Sequence, residues 1–114
     1  AHLVDGARPQ DPIHVGRSGN AAVREVVGTD KMMWGSDYPH NEGTFPHTRE
    51  ALRQRFSDVD ETNMRMLLGG NAAELYGFDL AKLAPIAARV GPTVEELRVP
   101  LTALPENPSE ALLR

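Results

Sequence analysis

A ten-residue stretch, Lys31-Met32-Met33-Trp34-Gly35-Ser36-Asp37-Tyr38-Pro39-His40, constrains this chain more than any other. Its apolar run covers only Met32 to Trp34, with Asp30 before it and Gly35 after it. That is too short for a helix, and both neighbours break regular structure. Such a run reads as a buried strand of a parallel sheet, where both faces are covered and alternation is lost. Asp37 then stands at the strand's carboxyl end, where α/β barrels and open α/β sheets place their chemistry.

The rest of the chain is punctuated around this stretch. Residues 1–19 carry very short apolar runs between Asp5-Gly6, Pro9 and Asp11-Pro12, which is turn chemistry, and read as an irregular segment. Asn20 has the character of an N-cap, Ala22, Val23, Val26 and Val27 share one helical face, and Gly28 is placed as a left-handed stop. Thr29 and Asp30 link that helix to the strand. After a loop from Tyr38 to Pro46, the spacing predicts a helix from about His47 to Phe56, with Ala51, Leu52 and Phe56 on one side. Asp58 with Glu61 suggests a capping box for a second helix carrying Met64, Leu67 and Leu68, stopped by Gly69-Gly70. Asn71 is expected to cap a short helix from Ala72 to Tyr76 that Gly77 closes. Asp79 then caps a helix in which Leu80, Leu83, Ala84, Ala87 and Val90 form a stripe, with Gly91 as its stop. Thr93 and Glu96 form a capping box for a last short turn. Pro100, Pro105 and Pro108 mark an extended tail over 99–114, leaving 20–98 as the βα portion.

Composition removes several functions. With no cysteine, disulfides, zinc-thiolate sites and thiol nucleophiles are excluded, and the absence fits a cytoplasmic protein. A net charge of -4 supplies no basic stripe for phosphates, so nucleic acid is not an expected partner. No apolar run approaches a membrane span, and the N-terminus has no signal-peptide core. One strand among about five helical segments raises a physical problem, because its backbone polar groups need ladder partners. The expectation is therefore an α/β fold that is mostly helical as an isolated chain. Either the weak N-terminal runs pair with it, or, as favoured here, the missing partners come from the remainder of a larger βα protein, of which this is the C-terminal part, or from self-association.

Three motifs together carry a family resemblance. Met33-Trp34-Gly35-Ser36-Asp37-Tyr38-Pro39-His40, then Gly43-Thr44-Phe45-Pro46, then Gly70-Asn71-Ala72-Ala73-Glu74-Leu75-Tyr76-Gly77 resemble the end of the amidohydrolase-related ("amidohydrolase 2") family, whose members are related to aminocarboxymuconate-semialdehyde decarboxylase. The resemblance runs from about Ala21 to Leu97. It implies a (β/α)8 TIM barrel that binds one divalent metal, often zinc. It would make Lys31 to Ser36 the eighth strand and the Asn71 segment the helix that closes the barrel. Asp37 would match the aspartate that ligates the metal, or lies beside it and handles the proton of the attacking water. The implied reactions are hydrolysis or non-oxidative decarboxylation of small, often carboxylated or aromatic substrates. The family also holds its metal with a His-x-His pair at the first strand and a histidine from a middle strand. This chain has neither: its histidines are His2, His14, His40 and His47. A zinc site needs about three protein ligands, so the chain is not expected to catalyse the reaction alone.

Asp37 is thus the candidate catalytic and metal-binding residue, although its local pattern also fits a turn aspartate before Tyr-Pro. His40 follows as a candidate near Asp37, with a solvated loop residue as its other reading. Glu42 and His47 read as surface residues, Trp34 as core, the Leu80 to Val90 stripe as a packing face, and Tyr38 as either a mouth or a loop-bracing residue. The competing function is a non-catalytic helical module that binds another chain through its apolar faces.

Overall fold

The structure is a computed structural model, and it describes residues 27–114. The irregular segment 1–19 and nearly all of the helix expected before Gly28 lie outside the described residues. Gly28 itself has a positive φ of 93°, but its ψ of 133° is not that of a left-handed helical cap. A Cβ there would meet the Asp30 carboxylate at 2.8 Å, so both conformation and space call for glycine.

The strand expected over Lys31 to Ser36 does not form. Thr29–Lys31 is a 3-10 turn, Met32 is extended in an isolated bridge position, and the chain is irregular from Met33 to Asp37. No described segment offers this stretch a sheet, so its backbone groups bond elsewhere. The Trp34 N–H donates to the Leu67 carbonyl at 2.9 Å. The Asn71 side-chain amide donates to the carbonyls of Thr29 (2.7 Å) and Met32 (2.8 Å). Met32 and Met33 are nevertheless buried, and Trp34 packs against the core.

Five α-helices follow. Helix α1 is Thr48–Phe56, and it buries Ala51, Leu52, Arg55 and Phe56. Helix α2, Glu61–Arg65, is capped by Asp60, not Asp58. Asp60 accepts the Asn63 N–H at 3.1 Å and binds the Asn63 amide at 2.6 Å. Gly69-Gly70 does not stop the helix. A π-helical turn, Met66–Gly70, joins α2 directly to α3, Asn71–Tyr76, with Arg65, Gly70 and Asn71 all in the right-handed helical region. The Asn71 N–H reaches back to the Met66 carbonyl, so the winding widens here instead of ending. Asn71 is consequently inside a continuous helix and caps nothing. Gly77 closes α3 in the left-handed conformation (φ 74°, ψ 29°), as expected.

Helix α4, Leu80–Val90, starts where the sequence places it. Asp79 accepts from the N–H groups of Ala81 (3.0 Å) and Lys82 (3.3 Å). Gly91 ends it in an extended conformation, not a left-handed one. A Cβ at Gly91 would meet the Ala87 carbonyl oxygen at 2.8 Å. Against expectation, the stripe is not a packing face within the described residues, because every residue of α4 is exposed. Helix α5, Val94–Leu97, is capped by Thr93 through the Glu96 N–H at 3.1 Å.

The core gathers Met32, Leu52, Phe56, Val59, Met64, Leu67 and Leu97, drawn from the extended stretch, α1, α2, the π turn and α5. The proline tail ends in a 3-10 turn, Glu110–Leu113, that buries Ala111 and Leu112. Donors along α1 hold the tail by its carbonyls. Arg53 reaches Val99 and Pro100, Gln54 reaches Leu112, and Arg55 reaches Ala111 at 2.7 Å. No helix among the described residues is long and apolar enough to cross a membrane.

Candidate functional site

The loop from Gly35 to His47 carries the candidate residues and is tied at several points. The Thr44 N–H donates to the Ser36 carbonyl at 3.0 Å and closes its neck. Inside the neck, the His40 N–H donates to the Asp37 carbonyl (2.8 Å) and the Gly43 N–H to the His40 carbonyl (3.0 Å). Thr44 is buried and its hydroxyl lies 2.9 Å from that of Thr48, which fastens the loop to the first turn of α1. Gly43 is required by space: a Cβ there would meet the backbone oxygens of Ser36, Asp37 and His40 at 2.8 to 3.0 Å. These ties were not anticipated from sequence. The Gly43-Thr44 pair was visible only as part of a motif.

Just past the neck, Asp37 has φ 58°, in the left-handed region that few residues with a side chain occupy. Its carboxylate lies 3.4 Å from His40 Nδ1, and both side chains are partly exposed. The same Nδ1 faces the Glu42 N–H at 3.3 Å. An unprotonated Nδ1 accepts that N–H, and a protonated one donates toward Asp37. The sequence's two candidates are thus brought together.

The neighbours have separate attachments. His47 Nε2 lies 3.0 Å from the Asn107 carbonyl oxygen in the tail. Glu42 pairs with Arg114 at 3.1 Å, and Arg114 also reaches Glu110. The hydrogen bond to Glu110, then the charge of Glu42, hold the Arg114 guanidinium above its ordinary range. Tyr38 and Phe45 project from the loop, both exposed, in an edge-to-face pair with ring centroids 5.1 Å apart.

Asp37 and His40 offer two donor side chains. Among the described residues, no group of three or more His, Cys, Asp or Glu side chains stands together. A zinc site asks for about three protein ligands, so the described residues do not make one by themselves. A cavity of about 400 Å³ lies apart from this loop, lined by Met64, Leu68, Leu80, Ala87 and Leu97 among others, and neither Asp37 nor His40 borders it. Its walls are mostly apolar, and α4 contributes Leu80 and Ala87 to them.

No curated protein and no solved structure matches this chain. A protein-family model, described as amidohydrolase, matches residues 7–78. The match begins before the three motifs, spans the loop with Asp37 and His40 and the helical run through Asn71, and ends ahead of α4. Because it covers more than half of the chain, this polypeptide belongs to the amidohydrolase family.

Proposed function

We propose that this chain forms the eighth-strand end of an amidohydrolase-family (β/α)8 barrel and supplies Asp37 to the active site. The observation that carries the reading is the placement of Asp37: an ionisable side chain kept beside the loop neck in left-handed backbone, near His40, within the matched region. Residues in sparsely populated backbone regions cluster at active sites, and the inference runs from the outlier to the role. The family is generally metal-dependent and acts on small molecules. A divalent metal, zinc in our reading, would need ligands beyond the described residues. Asp37 accepts a proton from water or ligates through its carboxylate. His40 orients that carboxylate from 3.4 Å. The substrate is a small, carboxylated molecule, and the reaction is hydrolysis or the non-oxidative decarboxylation of the aminocarboxymuconate-semialdehyde decarboxylase relatives. The chain alone is inactive for want of the other ligands.

Elemental analysis and zinc titration of the wild-type chain, with and without the upstream barrel sequence supplied, test this reading against Asp37→Ala. Expected is stoichiometric metal only when the upstream sequence is present, lost in Asp37→Ala. Unchanged metal in Asp37→Ala refutes the assignment of Asp37. A second reading, a helical module that binds another chain, is favoured by α4, whose apolar residues are all exposed. Concentration-dependent association that is abolished by Leu83→Glu, in a protein that holds no metal under either condition, would support it instead.

A further inference from the structure

A second feature lies at the junction between residues 29–34 and the π turn. Asn71 is buried, and its single amide nitrogen lies 2.7 Å from the Thr29 carbonyl oxygen and 2.8 Å from that of Met32. One turn earlier, the Leu67 carbonyl accepts the Trp34 N–H at 2.9 Å. Both partners belong to the stretch where the helix is π-wound, with the Asn71 N–H bonded to Met66. An insertion of this kind shifts the helical register by one residue, and such turns recur at functional sites. Without it, the Leu67 carbonyl and the Asn71 side chain would not keep their present relation to one segment.

We infer that Asn71 is a positioning residue for Asp37. Three carbonyl or amide groups of the extended stretch, at Thr29, Met32 and Trp34, are fixed to the core helix. Asp37 follows Trp34 by three residues, a reach of at most about 10 Å. Directly before Asp37, the Ser36 carbonyl accepts the Thr44 N–H and closes the loop neck, and the Asp37 carbonyl itself accepts the His40 N–H. Asp37 therefore leaves a segment fixed at residues 29, 32, 34 and 36, and Asn71 supplies two of those bonds. No sheet among the described residues locates this segment, so the amide does the work that ladder bonds do in a strand. The role rests on the reading of Asp37 as the reactive carboxylate.

The test compares Asn71→Asp and Asn71→Ser with a core control, Val59→Ala, by amide NMR of the purified chain. Asn71→Asp replaces the donor by acceptors facing two carbonyls, and Asn71→Ser can donate to one carbonyl at most. If the first does not fold, the second carries the comparison. Expected are shifted Asp37, His40 and Thr44 signals with α1 unmoved, and exchange of the Trp34 amide about tenfold faster than in Val59→Ala. Val59→Ala should destabilise without moving the Asp37 signals. Unmoved Asp37 and His40 signals in both Asn71 variants, or equal movement in Val59→Ala, overturn the inference. The readout needs no metal, so it fails or succeeds independently of the Asp37→Ala metal comparison.

Discussion

Gly43→Ala isolates the role of space in the candidate loop. Gly43 does not have a positive φ, so alanine meets no conformational bar there. What it meets is the backbone oxygen of Ser36 at 2.8 Å and those of Asp37 and His40 at 3.0 Å. None of these is the tip of a flexible side chain. All three oxygens are themselves acceptors, Ser36 for Thr44, Asp37 for His40 and His40 for Gly43, so their retreat weakens the bonds that close the loop. Overpacking at a tight site costs about 1–3 kcal/mol, and the bonds, weakened but not broken, together add about 1 kcal/mol at most. A loss near 2–3 kcal/mol follows, roughly 10–20 °C in Tm for a domain of this size. Gly69→Ala is the matched control, since a Cβ there has nothing within 4 Å. It should leave stability unchanged or raise it by about 0.5–1 kcal/mol, the usual advantage of alanine in a helix. Urea unfolding, read as midpoint at constant slope, measures both. A Gly43→Ala variant within about 0.5 kcal/mol of wild type would refute the packing argument.

Two further substitutions probe the core and the outlying helix. Phe56→Ala empties a fully buried aromatic position and should cost about 3–5 kcal/mol in urea unfolding, a large share of a marginal fold; a loss under 1 kcal/mol would mean that α1 is not central to the core. Asp79→Ala removes the cap of α4 and should fray it, seen as faster amide exchange over residues 80–84, by an amount near 1 kcal/mol. Because α4 is exposed along its whole length, the global midpoint should hardly move; a matching global loss would show that α4 is coupled to the core.

Local signals survived best where the chain's own neighbours satisfy them. The α1 spacing, the Asp79 and Thr93 caps and the Gly77 closure were legible because each depends on bonds within one turn. Asp58 reads as the cap because it stands three residues before Glu61, but the structure caps α2 with Asp60, which accepts the Asn63 N–H. Gly69-Gly70 read as a stop, since glycine weakens helices, but continuity with α3 keeps the Leu67 carbonyl and Asn71 in place under the extended stretch. The apolar run at Met32 was correctly placed in the core, yet strand geometry depends on a neighbouring strand that the run does not encode. Asp37 and His40 stand out in the sequence as candidates through their motif alone. Their mutual distance, and the left-handed backbone of Asp37, were not legible, because both follow from how Gly43 and Thr44 close the loop.

That left-handed backbone yields the sharpest separation of function from folding. A residue with a Cβ held at φ 58° bears a cost of order 1–2 kcal/mol, less for aspartate than for most. Glycine would remove it, against a loss of about 0.5–1 kcal/mol from its freer unfolded chain. The side chain contributes little in return: its one short-range partner among the described residues is His40 at 3.4 Å, partly exposed, and such pairs are worth about 0–1 kcal/mol. The bond from His40 N–H to the Asp37 carbonyl belongs to the backbone and survives the change. Asp37→Gly should therefore match or exceed wild-type stability by up to about 1 kcal/mol, while Asp37→Ala, which keeps the Cβ, should not. A turn aspartate retained for its bracing would give the opposite order, with Asp37→Gly clearly weaker than wild type in urea. Equal or greater stability in the glycine variant would mean that the carboxylate is kept at some expense to the fold, as residues at active sites commonly are.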